Sequence, residues 1–200
     1  MSKTTDRPYH HGDLRRAIID TAIDMLHADK GWQFTLREVA RQAGVSHAAP
    51  YKHFVDKATL LAEISLIGFD RLRETLASSV SPEPASFRAE IFAMAENYMR
   101  FASTNPGLYR LMFSTDTGSV PDIHMNDRAL SALGVLVELL EFGQAEGQLR
   151  KRDVRGQAAA CWALMHGLAL LHIDGLLLPE KVGSNALENA LTTLLEGLEA

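Results

Sequence analysis

Apolar residues return every three to four positions along most of this chain, a spacing that lines up one face of an α-helix. Leu14, Ala17, Ile18, Ala22, Met25 and Leu26 share such a face from Asp13 to about Asp29, with Arg15, Arg16, Asp20 and Asp24 opposite. Gly31 stops that helix. Leu36, Val39, Ala40 and Ala43 form a second, shorter stripe. Thr35 lies three residues before Glu38, the spacing of a capping box in which each side chain satisfies a backbone N–H of the other. Gly44 follows the last periodic residue, where a left-handed backbone costs glycine little. Val45 can plug the angle to the next helix and Ser46 can cap it. Two short helices joined by a tight turn have the proportions of a helix-turn-helix. Pro50 falls in the first turn of the second helix, where its missing N–H does little harm, and predicts a short, stiff recognition helix.

Downstream the period continues. Asp56 can cap a long helix through Leu60, Leu61, Ile64, Ile67, Leu72 and Leu76, which joins this head to the rest of the chain. Residues 79–86 read as a loop and a candidate boundary. Helices are expected over Phe87 to Ser103, Leu108 to Phe113, Asp127 to Glu146, Asp153 to Ile173 and Asn185 to Leu198, with a loop at 114–126. No strand ladder, phosphate-binding glycine loop or internal repeat interrupts them. The expected fold is all-α: an N-terminal three-helix helix-turn-helix domain over residues 1–58 and a C-terminal helical domain over residues 59–200.

The head suggests chemistry. N-terminal residues of such a recognition helix reach base edges, which nominates His47, Ala48, Tyr51 and Lys52. Tyr51, Lys52 and His53 also suit phosphate positioning, and Ser46 can combine capping with a phosphate contact. Lys57 opens the next helix, where its charge and the helix dipole can hold another phosphate. Thr35 and Arg37 complete the assigned DNA-contact set. Arg37 and Arg41 sit on the outer side of the first motif helix, as backbone contacts or as solvated charges. His10 and His11 precede the first helix, as an arm that touches DNA or as a plain terminus.

Charge changes the picture slightly. The net charge of −5 looks wrong for a phosphate binder, but it is unevenly spread. Residues 1–60 hold nine Lys and Arg against seven Asp and Glu; residues 61–200 hold eleven against eighteen. A 46% hydrophobic content supports a good core. The single cysteine, Cys161, excludes an internal disulfide and sits in an apolar run, as a buried thiol. The start of the chain carries Arg7, Asp13, Arg15 and Arg16 and does not read as a signal peptide. The apolar stretch 158–178 is broken by Trp162, His166, His172 and Asp174, which suits a buried helix better than a membrane span. The cytoplasm is the expected compartment, and neither a cofactor nor a metal is expected.

The run TLREVARQAGVSHAAPYKHFVDKATLLAEI resembles the DNA-binding segment of TetR-type transcriptional regulators, and the likeness covers roughly residues 9 to 64. In that family an aromatic pair late in the recognition helix, here Tyr51 and Phe54, precedes a loop and a helix-starting lysine, here Lys57. Pro50 departs from the aliphatic residue that many members carry. The run CWALMHGLALLHIDGLLL is similar to WHG-type C-terminal domains of part of the family, with Trp162, His166 and Gly167 as the naming residues. The resemblance implies a dimer built on the last two long helices, and Leu164, Leu168, Leu171, Leu187, Leu191, Leu194 and Leu195 are the expected interface. It also implies a pocket for a small organic effector, for which Met94, Tyr98, Phe101, Tyr109, Met112, Phe113, Trp162 and His166 are candidates. Residues of these types also make plain core. Few charges lie among them, so the effector is expected to be mainly apolar.

The function expected is a homodimeric transcriptional repressor on a double-stranded DNA operator with inverted symmetry, released by that effector. The alternative is a helical adaptor that uses its head for protein contacts. Catalysis is not expected, because Glu96, His124, His166, His172 and Asp174 form no triad, metal-ligand spacing or carboxylate pair.

Overall fold

A computed structural model describes residues 11–27, 31–82, 86–114 and 123–198, apart from the side chains of residues 11–13 and 198. Helix α1 (His11–His27) is followed by α2 (Leu36–Gln42), a 3₁₀ turn (Pro50–Lys52) and α3 (Lys57–Ala77). Then come α4 (Phe87–Thr104), α5 (Pro106–Met112), a second 3₁₀ turn (Ile123–Met125) and α6 (Asp127–Ala145). Helices α7 (Val154–Ile173), α8 (Pro179–Val182) and α9 (Ala186–Leu198) complete the chain. No strand occurs among the described residues, so the fold is all-α. The one-turn α8 and the turn at Ile123 are too short to carry a period and were not foreseen. Neither His10 nor the side chain of His11 lies within the described part.

Local chemistry sets the element ends. The Thr35 backbone N–H donates to Glu38 Oε2 at 2.6 Å, and the Glu38 N–H donates back to Thr35 Oγ1 at 3.2 Å, which completes the capping box. Gly44 adopts φ +68° and turns the chain out of α2. Asp56 Oδ1 accepts from the Thr59 N–H at 2.8 Å and starts α3. The pairing with Thr59 holds the Asp56 carboxyl below its usual range.

The expected recognition helix is corrected. An α-turn there needs an N–H on residue 50 to reach the Ser46 carbonyl, and proline has none. The Ala49 N–H takes that carbonyl instead, at 2.9 Å. Lys52 then donates to Ala49 at 3.2 Å and His53 to Pro50 at 2.9 Å, which gives one 3₁₀ turn. Ser46 does not cap it; Ala49 is the N-terminal flanking residue and supplies no side-chain cap.

Packing centres on α3. It contacts α1, α4, α5 and α6, while α7 packs on α4, α6 and α9. Leu60 and Ile64 early in α3 and Phe69, Leu72 and Leu76 later all belong to one continuous buried cluster. A second tie joins α1 to α5. A Cβ added at Gly107 would stand 2.1 Å from the Leu26 carbonyl oxygen, so the two backbones meet where only glycine fits. Gly107→Ala is expected to cost about 1–3 kcal/mol of stability through this clash, read as a lower urea midpoint at unchanged slope. An unchanged midpoint would mean that the α1–α5 contact yields freely.

Candidate nucleic-acid interface and body cavity

The 3₁₀ turn is pinned from below. Ala49, Pro50 and Phe54 are buried, while Ser46, His47, Ala48, Tyr51 and Lys52 are exposed on the outer side. Tyr51 is 52% exposed, a large aromatic surface left outside a core that has room for Phe54. His53 is half-buried, and among the described residues its Nε2 is buried without a hydrogen-bond partner. The Lys57 ammonium sits 5.6 Å from the Phe34 ring centroid and is steadied by it. Thr35 is occupied by its capping box, since its hydroxyl also donates to Glu38 Oε2 at 2.9 Å. Arg37 and Arg41 are exposed. The nine assigned DNA-contact residues thus lie at the two ends of the motif and along its turn.

A chain of cations and carboxylates runs away from this motif. The Arg15 guanidinium on α1 lies 5.5 Å from the Phe54 ring centroid and 3.4 Å from Glu63 of α3. Glu63 also meets Arg128 of α6 at 3.5 Å. Arg128 Nε donates to Asp70 Oδ2 at 2.9 Å, and its terminal nitrogen donates to the same oxygen. The bonds to Asp70 raise the Arg128 pKa, so it remains charged in its half-buried place. No sequence motif marks these four residues. The weak signal is Glu63 and Asp70, seven apart on one face of α3.

Beside Arg128 the wall of a cavity begins. Phe69, Leu72 and Leu76 of α3, Met94 and Tyr98 of α4, Phe113, His124, Ala129, Leu130, Ala132, Leu133 and Leu136 of α6's side, and Trp162 and Met165 of α7 enclose about 100 Å³. Of the residues assigned to a pocket, Met94, Tyr98, Phe113 and Trp162 line it. Phe101, Tyr109, Met112 and His166 do not. Phe101, Tyr109 and Met112 are buried core, and His166 stands behind the lining. The α3 and α6 walls went unassigned because a buried leucine stripe reads the same whether it faces a neighbour or a void. A wider depression of about 540 Å³, between the end of α3 and α6, is more polar and less suited to an apolar molecule.

Behind the cavity three polar groups form a line. The Tyr98 and Tyr109 hydroxyls are 2.7 Å apart, and the Tyr109 hydroxyl is 2.7 Å from His166 Nδ1. Burial pushes the Tyr98 phenol up to about 12, against opposing hydrogen bonds from Tyr109 and Trp162. Burial raises Tyr109 further and lowers His166, so the line is neutral at physiological pH. Phe113 packs on His166 with ring centroids 4.5 Å apart. Cys161 is fully buried, and desolvation raises its thiol to about 11.

The expected dimer surface needs correcting. Leu168, Leu191 and Leu195 are buried within the protomer, because α9 turns one face onto α4 and α7. Leu164, Leu187 and Leu194 are half-buried, and only Leu171 of that set is exposed. From α7 to α8 the large apolar side chains left exposed are Trp162, Leu171, Leu176, Leu178 and Val182, beside exposed Ala159 and Ala163. Gly167 opens onto empty space.

With this geometry in hand, the comparisons are consistent. Residues 18–64 match the profile of bacterial regulatory proteins of the tetR family. Residues 91–194 match the tetracyclin repressor-like C-terminal domain. The chain is 31% identical over 145 residues to the nucleoid occlusion factor SlmA of Aliivibrio fischeri, across 70% of this chain and 69% of that protein. It is 33% identical over 103 residues to the SlmA of Marinomonas sp., where the match spans half of each chain. A Rhodococcus sp. RHA1 protein of unknown function superposes with a TM-score of 0.83 at 32% identity, over 98% of this chain and all of that one. The chain belongs to the TetR family, whose members are all-α DNA-binding transcription regulators. No helix among the described residues is long and apolar enough to cross a membrane.

The depressed His166 carries a pH signature. The unfolded chain takes a proton on this imidazole near its ordinary value of 6.5, while the fold resists it until lower pH. Stability contributed here is complete above that value and falls as pH drops through it. His166→Gln is expected to flatten the decline of the thermal midpoint below pH 6.5; an unchanged profile would show that other groups govern it.

Proposed function

We propose that this protein is a dimeric repressor that leaves an operator of inverted symmetry when a small, mainly apolar molecule enters the body cavity. One observation carries the reading: the cavity wall and the ion pairs that reach the head share the first turn of α6. Ala129 and Leu130 face the cavity, and Arg128 beside them holds Asp70 and Glu63. Glu63 in turn holds Arg15, which lies against Phe54 under the 3₁₀ turn. A molecule that displaces the α6 wall therefore strains the support of the reading surface.

In this reading residues 1–58 bind DNA and residues 59–200 sense and dimerise. His47, Ala48, Tyr51 and Lys52 enter the major groove. Ser46, His53 and Lys57 hold phosphates, with Thr35 and Arg37 at the flank. Two heads spaced about 34–36 Å apart read successive grooves. The effector weakens binding only by its differential affinity for the two arrangements. Dimerisation covers the exposed apolar surface of α7 and α8.

Two measurements follow on an operator selected from random sequence. Tyr51→Ala and Lys52→Ala should each weaken binding about tenfold with the dimer intact, and Lys52→Ala should reduce the log–log salt slope by about one. Parental affinity in both would remove the turn from the interface. Arg15→Gln and Arg128→Gln should couple by about 0.5–2 kcal/mol in a double-mutant cycle on DNA affinity. Strict additivity would show that the ion pairs carry nothing between cavity and head.

A further inference from the structure

The reading of the cavity as an effector site leaves the chemical class of its occupant open, and the lining narrows that class. Among the described residues no lining side chain is acidic, Lys or Arg, so a charged molecule would enter without a counterion from them. The volume of about 100 Å³ is of the order of an apolar cavity, roughly 150 Å³, that holds a benzene ring. The part of the occupant inside the cavity is therefore neutral and about the size of a single ring.

Among the described residues only Tyr98, His124 and Trp162 bring side-chain nitrogen or oxygen atoms to the lining. His124 already donates from Nε2 to the Met112 carbonyl at 2.9 Å. The Trp162 indole N–H, a donor only, already bonds the Tyr98 hydroxyl, so the polar end of the cavity is that hydroxyl. What Tyr98 offers depends on the line behind it. If His166 carries its proton on Nε2, Tyr109 donates to Nδ1 and Tyr98 donates to Tyr109, so the cavity meets a Tyr98 lone pair. If the proton is on Nδ1, both bonds reverse and the Tyr98 O–H is released toward the cavity. A carbonyl fits only the second arrangement, and a bare hydrocarbon uses neither. A hydroxyl both donates and accepts, and so pairs with either.

We infer that the cavity takes a neutral, single-ring molecule bearing one hydroxyl, a simple phenol or its alicyclic counterpart, with that hydroxyl against the Tyr98 hydroxyl. This inference rests on the cavity being a ligand site. Tyr109 and His166 are positioning residues that orient the Tyr98 hydroxyl without touching the ligand. Trp162, 40% exposed, sits at the boundary between cavity and solvent.

Calorimetric titration of the full chain with p-cresol, toluene and benzaldehyde tests the assignment. p-Cresol should bind at least about tenfold tighter than toluene, the reverse of the order that hydrophobicity alone gives. Tyr98→Phe should abolish that preference and leave toluene binding intact. Tyr109→Phe leaves the Tyr98 O–H free in either arrangement, so benzaldehyde should bind no more weakly than to the parent and the p-cresol preference over toluene should survive; this variant carries the test if Tyr98→Phe fails to fold. Equal binding of p-cresol and toluene, a preference that survives Tyr98→Phe, or a preference lost in Tyr109→Phe would overturn the hydroxyl assignment and leave the cavity a ligand site. If none of the three binds, the cavity itself is not a site and both readings fall.

Discussion

Helix α3 is buried at its two ends by different partners, and most of the structure is arranged around that fact. Leu60, Leu61 and Ile64 complete the core beneath the helix-turn-helix, and Phe69, Leu72 and Leu76 about three turns later wall the cavity. The helix is continuous from Lys57 to Ala77, so no flexible linker separates the two regions. Burying a fully apolar side chain stabilises by about 1.5–3 kcal/mol, and α3 spends such burial on both sides. Neither region can shift against α3 without exposing part of that surface. Gly68 tightens the arrangement, because a Cβ there would stand 2.6 Å from Met112 Sδ on α5. Together with the Gly107–Leu26 approach, it brings α5 close to both α1 and α3.

The polar interactions do a different kind of work. Arg15, Glu63, Asp70 and Arg128 are only partly shielded from water, so their net contribution to stability is small. Their geometry is specific all the same, because Glu63 serves two arginines from two different helices. The line of Tyr98, Tyr109 and His166 is more deeply enclosed, where an unmet hydrogen bond costs far more than it does at a surface. One set fixes how helices are oriented, and the other fixes what the cavity offers.

Periodicity and end chemistry made the helices legible, since Thr35 with Glu38, Gly44 and Asp56 each announce an element end through a local bond. Pro50 was visible too, but its effect depended on which carbonyl lost a donor. The bond from Ala49 to Ser46, which no sequence pattern marks, decides it. The cavity was half legible: Tyr98 and Trp162 stand out by type, whereas Leu72, Ala129 and Leu136 look like any core stripe. Leu191 and Leu195 misled for the same reason, because an apolar face on α9 does not say whether it covers its own protomer or a second one. The Arg128 contacts were out of reach, since their partners lie 58 and 65 residues away in sequence.

The continuity of α3 has a consequence of scale. Its 21 residues make a rod about 31 Å long at roughly 1.5 Å per residue. A tilt of about 6° at the cavity end carries the other end through about 3 Å, close to the roughly 3.4 Å rise of one base pair. Movement no larger than the give of a few side chains is thereby converted into a whole step along a nucleic-acid axis. A rod anchored at both ends needs no large rearrangement to put a reading surface out of phase.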